Sequence, residues 1–114
     1  MGYRSQVALA VSKKEVGRFM AALAGCEEAR MMVFEHYDHL ETDYRQGGIL
    51  VTWDYIKWYD DYKGVNSLDQ FMDDMDTEDL EEEYRFCRTG EDYDDIVDRG
   101  CMEGFHISVN IDFY

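Results

Sequence analysis

Hydrophobic and polar positions alternate at the start of the chain and then change period. Residues 3–12, "YRSQVALAVS", alternate with the period of two that is typical of a half-buried strand. In the next segment, "SKKEVGRFMAALAG", apolar residues recur every three to four positions, which predicts an amphipathic helix. Ser12 and Glu15 have the spacing of a capping box, so we expect the helix to begin there and to end at Gly25.

The pattern returns to alternation in the middle of the chain. Residues 29–44, "ARMMVFEHYDHLETDY", predict a strand, although residues 31–39 also fit a helix. Residues 49–59, "ILVTWDYIKWY", are rich in β-branched and aromatic side chains and predict the next strand. Gly47 and Gly48 lie between the two segments, which together indicate a β-hairpin.

A second helix is predicted in "NSLDQFMDDM", where Ser67 and Gln70 have capping-box spacing. Its apolar stripe consists of Leu68, Phe71, Met72 and Met75. Because that stripe occupies one face, we expect the helix to turn its acids toward water. These acids are Asp69, Asp73, Asp74 and Asp76.

The last third of the chain predicts two more strands. "EYRFCRT" fits a strand with Tyr84 and Phe86 facing inward and Gly90 ending it, and "FHISVNIDFY" (residues 105–114) fits a final strand. The intervening "EDYDDIVDRG" is predicted as a loop with one helical turn. The order predicts one α+β domain over residues 1–114, with an antiparallel sheet of four to five strands and two helices on one face. We expect a ferredoxin-like βαββαβ arrangement with an added C-terminal strand.

Composition supports a folded chain inside a cell. Aromatic residues make up 15% of the 114 residues, which is enough to form a core despite the charge. No apolar run approaches the length of a membrane span, and the N-terminus lacks a signal-peptide pattern. The three cysteines show no C-x-x-C spacing and suggest reduced thiols. We therefore expect a cytoplasmic protein.

Charge adds the strongest functional indication. The net charge is -15, and residues 54–98 alone carry 17 of the 26 acids and 4 of the 11 bases. Such a chain is not suited to direct binding of nucleic acids or anionic membranes, both of which require Lys and Arg. The expected partners are basic surfaces or cations.

The candidate partner-binding residues lie in two acidic segments, residues 68–83 and residues 91–95, and in the pair Asp60 and Asp61. Nine of the sixteen residues in "LDQFMDDMDTEDLEEE" are acidic. On a helix rising about 1.5 Å per residue, the run "DDMDTEDLEEE" within it has a linear charge density comparable to that of duplex DNA, one per about 1.7 Å. The candidates are Asp60, Asp61, Asp69, Asp73, Asp74, Asp76, Glu78, Asp79, Glu81, Glu82, Glu83, Glu91, Asp92, Asp94 and Asp95.

The motifs for metal binding, base stacking and catalysis are weaker than the acidic segments. His36 and His39 would point to opposite faces of a strand, so no metal site and no cofactor are predicted. The acids in "GEDYDDIVD" could hold Ca²⁺ or Mg²⁺, but their spacing is not that of an EF-hand. The aromatic run "WDYIKWYDDY" could stack bases, yet its acidic neighbours favour a core and edge-strand role. No nucleophile–base pairing indicates an enzyme.

Three stretches together, "GYRSQVALAVSKK", "WDYIKWYDDY" and "YRFCRTGEDYDDI", resemble small acidic proteins encoded by phages and prophages. The resemblance implies a bacterial host cell, a compact α+β domain and no catalytic residues. By size, charge and setting it is similar to anti-CRISPR and anti-restriction inhibitors, several of which imitate DNA.

We therefore expect a non-enzymatic inhibitor, monomeric or homodimeric. Its acidic surface would block the basic groove of a DNA- or RNA-binding host defence complex, with no direct contact to nucleic acid or membrane. Two alternatives stay open: a cation-binding module built on residues 90–98, and a structural or assembly protein of the phage whose acidity serves solubility.

Overall fold

The computed structural model describes residues 3–44, 46–92 and 94–102. The chain forms β1 (Ser5–Val11), a 3-10 turn (Lys13–Glu15), α1 (Val16–Ala24), α2 (Glu27–Phe34), β2 (His39–Tyr44), β3 (Gly48–Ile56), α3 (Lys63–Thr77), a second 3-10 turn (Glu81–Glu83), β4 (Tyr84–Thr89) and β5 (Ile96–Gly100).

The five described strands form one antiparallel sheet in the order β2-β3-β1-β4-β5. This architecture confirms the predicted α+β class. The predicted hairpin is also present, because β2 pairs with β3 and the connection has positive φ angles at Gln46 and Gly47. The ferredoxin-like arrangement stays a prediction, and the described chain has three helices rather than the expected two.

The helices share one hydrophobic core with one face of the sheet. Alternate residues of β1, Val7, Leu9 and Val11, lie almost fully buried in it. Opposite them, α1 contributes Phe19 and α3 contributes Phe71, whose rings meet edge to face with centroids 5.2 Å apart. The central strand therefore holds the helical layer in place over the sheet.

The predicted strand over residues 29–44 is wrong in its first half. Residues 27–34 form α2, and the strand begins only at His39. Ala29 and Val33, four residues apart on the same helical face, are fully buried. The helical alternative for residues 31–39 is therefore right as far as Phe34 and wrong for residues 35–39.

The predicted loop with a helical turn at residues 91–100 is also partly wrong, because its second half is strand β5. β5 pairs with β4 from Thr89 opposite Ile96 to Arg85 opposite Gly100. The backbone hydrogen bonds of this hairpin outweigh a weak local strand pattern. The predicted final strand at residues 105–114 lies outside the described residues.

Neither predicted capping box forms. The Ser12 hydroxyl donates to the Glu83 carboxylate instead, 71 residues away in sequence. The second helix begins at Lys63, so Ser67 lies inside it rather than at its cap. A carboxylate from α2 takes over part of the capping role, since Glu28 accepts the free backbone N–H of Gly64 at 2.9 Å.

Candidate functional site

Helix α3 positions the central acids of the site. The predicted stripe is confirmed: Leu68, Phe71, Met72 and Met75 are all buried. Asp69, Asp73 and Asp76 follow at intervals of four and three residues, so they lie along one side of the helix. Asp73 is exposed as expected, whereas Asp69 and Asp76 are only partly exposed. The prediction that all of these acids face water is therefore only partly right.

Arg99 of β5 neutralises two of these acids. Its guanidinium donates to Asp73 at 2.9 Å and to Asp76 at 2.8 Å. Asp76 also accepts the hydroxyl of the fully buried Tyr84 at 2.7 Å. Burial acts to raise the pKa of the Asp76 carboxyl, but the hydrogen bonds from Arg99 and Tyr84 outweigh it and lower that pKa. This network ties α3 to β4 and β5.

The opposite side of α3 has its own partners. Arg18 of α1 makes two parallel hydrogen bonds of 2.8 Å each to the Glu78 carboxylate. Asp74 accepts a hydrogen bond from Gln70 at 3.0 Å. Glu78 is therefore used largely within the chain, while Asp74 keeps its charge on an exposed surface.

The acidic segment does not continue as one helix. α3 ends at Thr77, Asp79 has a left-handed φ of 61°, and residues 81–83 form a 3-10 turn. The DNA-like charge density predicted for a helix through residue 83 is therefore wrong, because only Asp73, Asp74 and Asp76 of that run lie on α3. Asp79, Glu81 and Glu82 have no side-chain partner within the described ranges.

The second acidic cluster surrounds the β4–β5 connection. Asp95 is engaged by Arg88 at 2.8 Å and by the Tyr3 hydroxyl at 2.7 Å, and these contacts lower the pKa of the Asp95 carboxyl. Glu91 accepts the backbone N–H of Arg4. The exposed carboxylates of Asp92 and Asp94 have no partner in the part of the chain that is described.

A cavity of about 590 Å³ brings acids from three separate segments together. Asp60 precedes α3, Asp69 and Asp73 lie on it, and Asp95 immediately precedes β5. Asp61 adjoins Asp60 in an exposed turn. The remaining wall consists of Tyr3, Trp58, Tyr59, Phe86, Arg88, Val97 and Arg99.

Asp69 is the acid whose environment is least favourable. Burial, and next the carboxylate of Asp60, raise the pKa of the Asp69 carboxyl above its ordinary value. Arg88 and Arg99 act in the other direction without cancelling this shift. Among the described residues, neither Asp60 nor Asp69 has a hydrogen-bonded or ion-paired side chain.

The aromatic run contributes both core and surface. Trp53 and Trp58 are buried with ring centroids 5.5 Å apart, which confirms the predicted core role for the two tryptophans. Tyr55 is 70% exposed and has the Arg4 guanidinium 5.3 Å from its ring centroid. Tyr59 and Tyr62 lie with ring centroids 5.1 Å apart.

Sequence reasoning missed the arginines. Arg88 and Arg99 line the cavity and pair with acids that were predicted to be free. The sequence feature that could have indicated these arginines is their position, because they are isolated bases of β4 and β5 within the most acidic third of the chain. Because ion pairs across elements depend on strand register, the sequence alone does not identify the partners.

The remaining candidate chemistry is limited. Cys26, Cys87 and Cys101 are free thiols, and burial together with the Asp98 carboxylate raises the pKa of Cys87 to about 11. Within the described ranges, no three His, Cys, Asp or Glu side chains are grouped to hold a metal ion. His106 lies outside the described residues.

Comparisons with protein-family models, curated proteins and solved structures found no match to this chain. No helix among the residues described is long and apolar enough to cross a membrane.

Proposed function

We propose that this chain is a non-enzymatic binding protein whose acidic surface occupies the nucleic-acid-binding groove of another protein. The surface, here called the acidic ridge, consists of Asp60, Asp61, Asp69, Asp73, Asp76, Asp79, Glu81 and Glu82. The acids at residues 74, 78, 83, 91, 92, 94 and 95 flank it. The resemblance to phage-encoded proteins suggests the setting, in which the target is a host defence complex.

The observation that carries the proposal is the convergence of carboxylates from separate segments beside α3. Asp60, Asp69 and Asp73 line one cavity, and the acids at residues 79–82 follow shortly after the end of α3 at Thr77. A general solubilising charge does not require this clustering, because like charges repel one another and favour dispersal. Lys and Arg side chains that normally bind phosphates would gain favourable partners on such a surface.

The structure also shows which acids are available. Asp73 and Asp76 already bind Arg99, so reversing their charge would disturb the α3–β5 contact as well as the surface. Asp61, Asp79 and Glu82 are exposed and have no side-chain partner among the described residues. They are the better positions for testing the surface without disturbing the fold.

The test is capture from a bacterial lysate on the immobilised protein, followed by elution with a salt gradient. We expect a discrete nucleic-acid-binding complex that duplex DNA displaces. A triple variant with Asp61→Asn, Asp79→Asn and Glu82→Gln should bind that complex about fivefold to tenfold more weakly, since each exposed charge pair contributes up to about 1 kcal/mol.

The matched control removes the same number of charges elsewhere. Glu35, Asp43 and Asp54 are likewise exposed and have no side-chain partner among the described residues. The variant with Glu35→Gln, Asp43→Asn and Asp54→Asn should bind almost as well as the natural chain. Equal weakening by both triple variants would mean that net charge alone causes capture, and the proposal would then be wrong.

A further inference from the structure

The cavity beside α3 has a composition that a surface acid cluster lacks. It is an open cavity of about 590 Å³, and Trp58, Tyr59 and Phe86 contribute to its wall. Trp58 is 9% exposed and packs between Trp53 and Phe86, with centroids 5.5 and 5.7 Å away. The aromatic side is therefore held firmly by the core and is formed before any ligand arrives.

The two arginines of the cavity are engaged by the chain's own acids. Arg88 pairs with Asp95 and also donates to Ser5 at 3.1 Å, while Arg99 pairs with Asp73 and Asp76. Their positive charge is thus balanced within the wall. An anionic ligand would have to compete with these carboxylates and would also meet the remaining acids.

Asp60 and Asp69 are the acids of the cavity whose side chains make no ion pair or hydrogen bond within the described residues. They lie close enough for the charge of Asp60 to affect the protonation of Asp69. A cavity that combines aromatic rings with carboxylates lacking an ion-pair partner favours a cation, through cation–π attraction to the rings and charge-assisted hydrogen bonds to the carboxylates. A planar guanidinium can form both interactions, because it stacks on aromatic rings and also donates two parallel hydrogen bonds to a carboxylate.

We propose that this cavity receives the guanidinium of an arginine side chain from the partner protein, between the aromatic wall and the carboxylates of Asp60 and Asp69. This inference rests on the proposed function, and it names the group by which the partner would be anchored. A single arginine seated in a preformed pocket would contribute far more than the exposed pairs along the ridge, as buried anchors do in other interfaces.

The test titrates the ¹⁵N-labelled protein with N-acetyl-arginine amide at constant ionic strength and follows its two tryptophan indoles by NMR. The Trp58 indole lines the cavity, whereas the Trp53 indole donates to the Met32 carbonyl at 2.9 Å and serves as an internal control. We expect a saturable shift of Trp58 with little change at Trp53. The neutral isostere N-acetyl-citrulline amide should produce no such shift, and N-acetyl-lysine amide should bind more weakly.

Variants locate the effect. Asp69→Asn and Asp60→Asn should each weaken arginine binding about tenfold, while Glu82→Gln, outside the cavity, should leave it within about twofold. The inference is overturned by absence of a saturable shift, by equal binding of citrulline or lysine derivatives, or by equal effects of Asp69→Asn and Glu82→Gln.

The two proposals fail separately. Failure of arginine binding, with capture still weakened by the triple variant at residues 61, 79 and 82, would remove the anchor and leave the acidic ridge. Arginine binding together with capture that duplex DNA does not affect would leave the cavity as a cation site and remove the groove-binding function.

Discussion

Two acids on the same side of α3 illustrate how the environment of each residue decides its role. Asp76 is held by Arg99 and Tyr84, and its carboxyl pKa is lowered, so its charge stabilises the folded state. Asp69, seven residues earlier, is partly buried near Asp60 without a cation partner, and its carboxyl pKa is raised. Its charge therefore opposes folding and is available to a ligand.

Replacing Asp69 should stabilise the protein. Because ionisation of Asp69 is less favourable in the folded state, Asp69→Asn should raise the free energy of unfolding at pH 7 by up to about 1 kcal/mol. The gain should shrink as pH falls through the folded-state pKa and disappear below about pH 3, where the carboxyl is protonated in both states. Urea denaturation at both pH values measures this, and a loss of stability at pH 7 would contradict the account of Asp69.

Replacing Asp76 should destabilise the protein. Asp76→Asn removes the ion pair with Arg99 and should lower the free energy of unfolding at pH 7 by about 1 kcal/mol. A lowered carboxyl pKa contributes stability above the ordinary pKa, and this is lost as pH falls through the folded-state pKa, so the difference should shrink in acid. An unchanged difference at low pH would show that the ion pair is not its cause.

At the scale of elements, the packing of the helices distinguishes two glycines near helix starts. A Cβ at Gly17 in α1 would meet nothing within 4 Å. A Cβ at Gly64 in α3 would lie 2.4 Å from the Met32 sulfur and 3.3 Å from the backbone nitrogen of Ala29, both in α2. The close approach of α2 and α3 therefore depends on Gly64.

The two alanine variants should change the free energy of unfolding in opposite directions. Gly17→Ala should raise the free energy of unfolding by about 0.5 to 1 kcal/mol, because alanine loses less backbone entropy in a helix. Gly64→Ala should lower it, because the steric conflict with α2 exceeds that gain. Thermal denaturation of both variants measures the difference, and stabilisation by Gly64→Ala would mean that α2 and α3 do not pack as described.

The elements also show what the sequence could predict. The α3 stripe was predictable because Leu68 to Met75 has one strong helical period, and β1 because its alternation is regular. Residues 31–39 fit both periods, and the structure forms a helix only as far as Phe34, with Ala29 and Val33 buried on one face of it. The first predicted cap failed because the Ser12 hydroxyl binds Glu83, far away in sequence, and the second because α3 begins at Lys63, before Ser67.

At the scale of the whole molecule, the charge is organised rather than uniform. The acidic segments were predictable as candidates from composition alone, since residues 54–98 hold most of the carboxylates. The sequence could not predict which of these acids pair within the chain and which stay free, because Arg18, Arg88 and Arg99 reach them from other elements. Among the described residues, Asp61, Asp79 and Glu82 stay exposed without a side-chain partner, and they are therefore the positions that test the proposed acidic ridge.

The measurement that tests the central claim most directly is competition between this protein and duplex DNA for the complex captured from lysate. Fluorescence anisotropy of labelled DNA bound to that complex would be followed as the protein is added, with the triple variant at residues 61, 79 and 82 as the comparison. The account predicts full displacement of DNA by the natural chain and displacement at about fivefold to tenfold higher concentration by the variant. Simultaneous binding of DNA and protein to the complex would contradict it.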